Sequence, residues 1–251
     1  MLVHIPAAGA GSRFKKQGIY SPKPLVTVNG VTLLEKVIDC FDKSQCSTIL
    51  ISTLKKDHIR EKLELRIKKS FPLTQIVWVE LGSIKPGQLS TAYHSLKIAT
   101  QEQPILLDEK LLIHNCDTGF QWIDDLALFD CFASMAVFEA DGDHWSFGLP
   151  NELNPKIADA IAEKKRISNL ASIGLYGFHS VAAFLDIAVK YIENGQTING
   201  EFYIAPLLQS CIEGGLQVSL PRINQVFRYG TPEEVCKTFN ITMEELISNN
   251  S

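Results

Sequence analysis

A strand that runs directly into a glycine loop is the feature that most restricts how this chain can fold. The apolar run Leu2–Pro6 predicts a buried first strand, and Gly9 and Gly11 follow it among small residues. Because glycine has no side chain, backbone N–H groups in such a loop can approach an anion closely. In open α/β sheets, ligands bind beyond the carboxyl ends of the strands. The stretch therefore predicts an α/β fold with an anion-binding loop near its amino terminus.

Two basic residues follow this loop. Arg13 offers a planar fork of N–H donors that suits phosphate oxygens. Lys23 lies between Pro22 and Pro24. Because each proline fixes its own φ and restricts the residue before it, we expect an extended, stiffened segment there. We interpret the stretch as a loop for a polyphosphate with two cations directed at it.

The two commonest phosphate loops do not fit this stretch. The dinucleotide fingerprint G-x-G-x-x-G requires a third glycine, but Phe14 occupies that position. The P-loop ends in G-K-[S/T], a triplet that does not occur in the sequence. The alternative for a bare G-x-G is a tight turn into a helix, and only the two basic residues favour a phosphate site over it.

The combined motif resembles the amino-terminal signature of the sugar nucleotidyltransferases, also called NDP-sugar pyrophosphorylases. That signature is A-G-x-G-x-R-[F/L], a variable loop and then P-K-P-L; this chain carries it as Ala8–Phe14 and Pro22–Leu25. The resemblance extends to Glu234 and implies catalytic roles for Arg13 and Lys23. It also implies nucleotide contacts from four residues of the loop: Ala8, Gly9, Gly11 and Ser12.

Hydrophobic periodicity predicts alternating strands and helices through the first half of the chain. The predicted strands are Leu2–Pro6, Thr48–Thr53, Gln75–Leu81, Lys110–His114 and Cys131–Glu139. The predicted helices cover residues 31–41, residues 57–69 with Asp57 as the cap, and residues 89–100. The order β-α-β-α-β favours a parallel sheet with right-handed crossovers.

The fold class follows from this order together with the length of 251 residues and a hydrophobic content of 45%. The length suits one large α/β domain or two small ones. The resemblance implies one Rossmann-like three-layer α/β/α domain with a mostly parallel mixed sheet and a small antiparallel sugar-binding part. Its nucleotide-binding half would cover residues 1–130 and its acceptor-binding half residues 131–240. Residues 157–162 are compatible with helix or strand by composition, and the resemblance favours a strand.

Two further residues stand at the ends of predicted elements. Gln88 follows a Pro-Gly turn before a helix, and the resemblance implies that its side chain or the neighbouring backbone recognises the base. Asp117 lies just past a strand, where it could cap a following helix or hold Mg²⁺, which prefers oxygen ligands and is usually shared with phosphates. The resemblance favours the metal role for Asp117.

The resemblance places the acceptor site in the second half of the chain. It implies that Glu163 contacts the sugar, that Lys164 contacts its phosphate and that Glu201 binds sugar hydroxyls. It also places Gly174, within the strand motif Ser168–Tyr176, in the sugar-phosphate site. The simpler alternatives are a charged surface cluster for the first pair and a favourable position near a helix start for Glu201.

One position departs from the family pattern. Many members carry an aspartate, as second metal ligand, two residues before the glycine of the family's G-T-P-E-D motif, which Gly230–Glu234 resembles, and this chain has Arg228 there. Three readings stay open: a single Mg²⁺ held through Asp117, direct supply of positive charge by Arg228, or impaired catalysis.

Composition limits the other possibilities. A net charge of −4 argues against a nucleic-acid partner, and six cysteines without a C-x-x-C spacing are expected to be reduced thiols. No signal peptide is expected, and no apolar run approaches the roughly 18 residues that span a bilayer. We therefore expect a cytoplasmic protein with no membrane partner. The resemblance implies Mg²⁺ as cofactor and a nucleoside triphosphate and a phosphorylated sugar as partners. The oligomeric state is left open.

The resemblance implies transfer of a nucleoside monophosphate to a sugar 1-phosphate. Three alternative functions remain open. The first is a cytidylyltransferase for phosphocholine or another alcohol phosphate. The second is a glycosyltransferase, which usually carries D-x-D; the only D-x-D here, residues 141–143, is expected to be a surface turn. The third is a nucleotide-binding regulatory protein without turnover.

Overall fold

The computed structural model describes residues 1–102, 105–122 and 127–250. Within these ranges a nine-stranded sheet runs in the order β10-β9-β11-β6-β1-β4-β5, with β8 paired to β11 and β12 paired to β8. The strands are β1 Leu2–Pro6, β2 Thr27–Val28, β3 Val31–Thr32, β4 Thr48–Leu54, β5 Gln75–Leu81, β6 Leu111–His114, β7 Thr118–Phe120, β8 Ala133–Glu139, β9 Ser146–Pro150, β10 Ala158–Glu163, β11 Leu170–Phe178, β12 Val218–Ser219 and β13 Val226–Arg228.

Helices cover both faces of this sheet. They are α1 Ser12–Lys16, α2 Leu33–Ile38, α3 Ile59–Ser70, α4 Gln88–Glu102, α5 Val181–Glu193, α6 Ile204–Glu213, α7 Pro232–Phe239 and α8 Met243–Ser248. None of the helices in the described ranges is long and apolar enough to cross a membrane.

The central strands are buried on both sides because their alternate side chains enter two separate cores. Leu2 and Leu50 pack with α4, α5 and α6 on one face. Val3, Ile5 and Ile49 pack with α2, α3, α7 and α8 on the other face. Strands covered on both faces need not alternate polar and apolar residues, and Ile49–Ile51 of β4 is an unbroken apolar run of this kind. The predicted three-layer α/β/α class is confirmed.

The sheet is parallel where the site forms and antiparallel beyond it. Strands β6, β1, β4 and β5 are mutually parallel, so their carboxyl ends share one edge. Strand β11 is antiparallel to β6, to β8 and to β9, and β9 pairs antiparallel with β10. The segment of ambiguous composition is therefore a strand, as the resemblance implied. The division of the chain into two halves stays a prediction.

Two local predictions are wrong. Lys23 does not lie in an extended segment: Lys23–Leu25 forms a 3₁₀ turn in which Leu25 N donates to Pro22 O at 2.8 Å. The turn forms although a following proline disfavours helical backbone angles at Lys23. Asp57 does not cap α3 either, because a turn that closes on His58, in a left-handed conformation, delays the helix start to Ile59.

Candidate active site

A cleft of about 780 Å³ opens at the carboxyl edge of the parallel strands. The glycine loop follows β1 and Asp117 follows β6, and these strands are adjacent and parallel. Every residue that the sequence analysis assigned to the site lines this cleft: Ala8, Gly9, Gly11, Ser12, Arg13, Lys23, Gln88, Asp117, Glu163, Lys164, Gly174, Glu201 and Arg228. The residues predicted for the nucleotide, the metal and the acceptor thus share one cavity, while their individual roles remain predictions.

The glycine loop leaves room for a ligand and brings Lys23 close. A Cβ added at Gly9 would meet nothing within 4 Å. Gly11 has φ +63°, a left-handed value that favours glycine, and its backbone lies against Lys23. The Arg13 side chain is exposed toward the cleft and forms no ion pair with any residue that the structure describes.

Lys23 and Asp117 form an ion pair inside the cleft. Lys23 Nζ lies 3.2 Å from Asp117 Oδ2, and the two side chains are 17% and 37% exposed. Burial is the largest single influence and raises the pKa of the Asp117 carboxyl, but the Lys23 ammonium and the smaller contributions of neighbouring groups, the Thr118 hydroxyl among them, together outweigh it, and the net pKa is lowered. Asp117 is therefore a carboxylate at neutral pH.

Strand β7 follows Asp117 directly, so the helix-capping alternative for this residue is wrong. In the described ranges, no three His, Cys, Asp or Glu side chains come together as a metal site. A cation at Asp117 would therefore need further oxygen ligands from a bound substrate, which is how Mg²⁺ is usually held beside phosphates.

Buried His114 fixes the loop that carries Asp117. Its Nε2 lies 2.6 Å from Thr118 O and its Nδ1 lies 3.2 Å from Gly174 O. Burial lowers the pKa of His114 to about 4, so the ring is neutral at pH 7 and carries one N–H. The shorter contact assigns that proton to Nε2, which donates to Thr118. Burial also raises the pKa of the neighbouring Cys116 thiol to about 12, which keeps it protonated.

Gln88 and Gly174 meet at Asn115. The Gln88 amide donates to Asn115 Oδ1, and Asn115 N donates to Gly174 O at 2.9 Å. Gly174 has φ +78°, and a Cβ there would lie 2.2 Å from Asn115 Nδ2. The glycine is thus required for close packing against Asn115, in addition to any role it has in binding a sugar phosphate.

The three charged residues predicted for the acceptor are held by hydroxyl groups. Ser146 donates to Glu163, Tyr203 donates to Glu201, and Lys164 Nζ donates to Tyr203 Oη at 2.7 Å. Burial raises the pKa of Glu163. Helix α6 begins at Ile204 with Tyr203 as its N-cap residue, so Glu201 is not a helix cap.

Arg228 reaches the cleft from β13, which pairs with β7 so that Arg228 lies opposite Thr118. Tyr229 N donates to Asp117 O at 2.8 Å, which fixes this register beside the carboxylate. Arg228 Nη1 lies 3.6 Å from Glu234 Oε1, and Glu234 also completes the capping box of α7 with Thr231. Thr231 is thus the N-cap of α7, and Pro232 is its first residue.

Comparison with known families decides the identity of the fold. The model of the MobA-like NTP transferase domain matches residues 3–170. The chain belongs to the MobA-like NTP transferase family. The predicted resemblance to sugar nucleotidyltransferases is confirmed, and the protein is a nucleotidyltransferase.

Solved structures match this NTP transferase over nearly its whole length. The nucleoside-diphosphate-sugar pyrophosphorylase from Vibrio cholerae RC9 has a TM-score of 0.84 and 26% identity, covering 96% of this chain and 100% of that chain. The inositol-1-phosphate CTP transferase from T. maritima has a TM-score of 0.70 and 15% identity, covering 99% and 95%.

A UDP-glucose pyrophosphorylase complexed with UDP-glucose has a TM-score of 0.73 and 16% identity, covering 95% of this chain and 97% of that chain. At such low identity it shares the fold alone, as does the T. maritima enzyme. A comparison with curated proteins finds no significant sequence match.

Sequence reasoning missed four side chains that complete the site of this NTP transferase. Asn115 lies two residues before Asp117, and Tyr203 lies two residues after Glu201. Glu234 is part of the sequence motif at the start of α7. Ser146 lies in a stretch whose elements the sequence alone could not define. Only tertiary pairing reveals it as the partner of Glu163.

The turn before Gln88, the first residue of α4, is fixed to the acceptor side through Gly87. Gly87 has φ +90°, and a Cβ there would lie 2.5 Å from Phe202 O and 2.6 Å from Phe202 N. On either side, Phe202 N donates to Pro86 O and Leu89 N donates to Phe202 O, both at 3.0 Å. The two backbones can approach this closely only because residue 87 is glycine.

We expect Gly87→Ala to lower the free energy of unfolding by about 2 kcal/mol, because it adds backbone strain and a contact with backbone atoms that cannot yield. Gly82→Ala is the matched control in the same loop, since a Cβ at Gly82 would meet nothing within 4 Å. Urea unfolding measures both variants. Equal stabilities for the two variants would contradict this account of the close approach.

Proposed function

We propose that the protein transfers a nucleoside monophosphate from a nucleoside triphosphate to a sugar 1-phosphate and releases pyrophosphate. The observation that carries this proposal is that one cleft contains both sets of residues. Arg13, Lys23 and Asp117 suit a triphosphate, whereas Glu163, Lys164 and Glu201 suit a hydroxyl-rich phosphate. The similarity to the Vibrio cholerae pyrophosphorylase supports the same acceptor class.

In this reaction, an oxygen of the acceptor phosphate attacks the α-phosphorus in line as pyrophosphate leaves. Because the acceptor phosphate is already ionised at neutral pH, no general base is needed. The obstacle is repulsion between two anions, so catalysis consists of positioning and charge neutralisation. A cation about 4 Å from a phosphate contributes roughly 4 kcal/mol at an effective dielectric of about 20. Arg13 and Lys23 supply two such cations.

Asp117 would hold Mg²⁺ together with phosphate oxygens of the substrate. Asp117 suits this ion because it is a partly exposed carboxylate that stays ionised in the cleft. When bound, the ion neutralises phosphate charge. The contribution of the chain is to present that carboxylate beside the glycine loop and to supply Lys23 as an adjacent ammonium.

A second candidate keeps the reaction and changes the acceptor to another alcohol phosphate, with CTP as donor. The similarity in fold to an inositol-1-phosphate CTP transferase favours it. A matrix of four nucleoside triphosphates against sugar 1-phosphates, inositol 1-phosphate and phosphocholine, with pyrophosphate detection, distinguishes the two. Triphosphate binding without pyrophosphate release from any pair would instead support a regulatory protein and contradict both proposals.

Arg228 is expected to bind the triphosphate directly. We predict that Arg228→Ala raises the KM for the nucleotide about tenfold, the loss of one charge-assisted hydrogen bond, and leaves the acceptor KM unchanged. Arg222→Ala is the control, since Arg222 also pairs with a glutamate, at 3.7 Å from Glu139, but does not line the cleft. Steady-state kinetics with each substrate varied gives both constants. An unchanged nucleotide KM would remove Arg228 from the triphosphate site.

A further inference from the structure

At the acceptor end of the cleft, opposite charges are close but do not pair. Glu163, Lys164 and Glu201 all line the cavity, yet Lys164 forms no ion pair with either carboxylate in the part of the chain that the structure describes. An ammonium and a carboxylate that can reach each other normally would pair in a half-buried site. Another group must therefore keep the Lys164 ammonium apart from the two carboxylates.

The Tyr203 hydroxyl stands between Lys164 and Glu201. It accepts a hydrogen bond from Lys164 Nζ at 2.7 Å and donates its own proton to Glu201. An ammonium can only donate and a carboxylate can only accept. The single proton of the phenol therefore points to Glu201, and its oxygen accepts from Lys164.

The surrounding backbone is built to maintain this arrangement. Lys164 has φ +53°, an uncommon left-handed value for a residue with a side chain, and its N–H donates to Trp145 O at 2.9 Å. Tyr203 follows Phe202, whose backbone N–H and C=O are both bonded to the segment around Gly87. The second carboxylate, Glu163, is held in turn by the hydroxyl of Ser146.

We infer that Tyr203 is a positioning residue that prevents Lys164 and Glu201 from neutralising each other, so that both stay available to the acceptor. Lys164 keeps two N–H groups for the acceptor phosphate, and Glu201 keeps one carboxylate oxygen for its hydroxyls. The choice of these two acceptor groups rests on the proposed function. The separation of the two charges by Tyr203 does not.

The kinetic test uses Tyr203→Phe, which removes the hydroxyl and keeps the ring. We expect the acceptor KM to rise about tenfold, the nucleotide KM to stay unchanged, and kcat to change less than twofold. Tyr93→Phe is the matched control, because Lys97 Nζ lies 5.8 Å from the Tyr93 ring and this pair is outside the cleft. An unchanged acceptor KM in Tyr203→Phe overturns the inference.

Combination with Glu201→Gln separates this role from a merely structural one. If Tyr203 acts by preventing an ion pair, removal of its hydroxyl should hardly raise the acceptor KM further once Glu201 has lost its charge. We expect Tyr203→Phe to change the acceptor KM less than twofold in the Glu201→Gln background, against about tenfold in the wild type. Equal factors in the two backgrounds overturn the inference.

A crystal structure of the Tyr203→Phe variant tests the same point without turnover. The expected result is a direct contact of Lys164 Nζ with the Glu201 carboxylate, within about 4 Å. If the two groups remain apart, the inference is wrong even for an active enzyme. If the wild type transfers no nucleotide to any acceptor but the contact forms, the proposed function fails and the role of Tyr203 stands.

Discussion

Replacement of Lys23 by alanine is expected to slow pyrophosphate release about a hundredfold, equivalent to about 3 kcal/mol of transition-state stabilisation. Lys23 is the least exposed basic group in the proposed triphosphate site, with 17% of its side chain accessible, so solvent screens its charge only weakly. Its position is fixed by the 3₁₀ turn of its own segment and by the backbone of Gly11. Single-turnover kinetics with the acceptor in excess measures the loss in the chemical step.

The Lys23→Ala change could also lower the stability of the fold, and this effect must be measured separately from the loss of rate. It leaves Asp117 without its cationic partner, which would weaken the fold as well as the reaction. Thermal unfolding in parallel shows how much protein remains folded during the assay. Lys16→Ala provides the control for charge alone, since Lys16 is exposed on α1 and does not line the cleft. A fully folded Lys23→Ala enzyme with wild-type rates would remove Lys23 from the mechanism.

The fold could be predicted because its central strands leave an unambiguous pattern. Strands β1 and β4 are covered on both faces, so they carry unbroken apolar runs at Leu2–Val3 and Ile49–Ile51 in place of strict alternation, and the elements alternate as a parallel sheet requires. The antiparallel part is harder. Residues 157–162 alternate too weakly to exclude a helix, and it is pairing with β9 that makes the segment a strand.

The site was predictable where a motif follows a strand end and unpredictable where tertiary contacts define the partner. Gly11 and Asp117 could be placed together because they follow parallel neighbouring strands that end at the same edge. The pairing of Lys23 with Asp117 could not, since it depends on a turn that the two prolines argued against. Tyr203 gives no signal by itself, because its role depends on contact with Lys164, which is 39 residues away in the sequence.

Asp117→Asn is expected to lower kcat about a hundredfold and to remove the dependence of the rate on Mg²⁺ concentration. Asparagine keeps one oxygen at the same place, but it loses the charge that makes a carboxylate a strong ligand for a hard cation. The wild type should lose activity in EDTA and regain it with added Mg²⁺. Titration of both enzymes with Mg²⁺ under saturating substrates gives the comparison.

The Lys23 ion pair makes this experiment sensitive to a different explanation. If Asp117 served only to orient Lys23, the asparagine variant would lose rate but respond to Mg²⁺ as the wild type does, because the metal would be held by the triphosphate alone. If Asp117 holds the metal, the Mg²⁺ response itself must change. Asp143→Asn is the control, because Asp143 is an exposed aspartate of the D-x-D turn outside the lining of the cleft. Loss of Mg²⁺ dependence in Asp143→Asn rather than in Asp117→Asn would transfer the metal to that turn and favour the glycosyltransferase alternative.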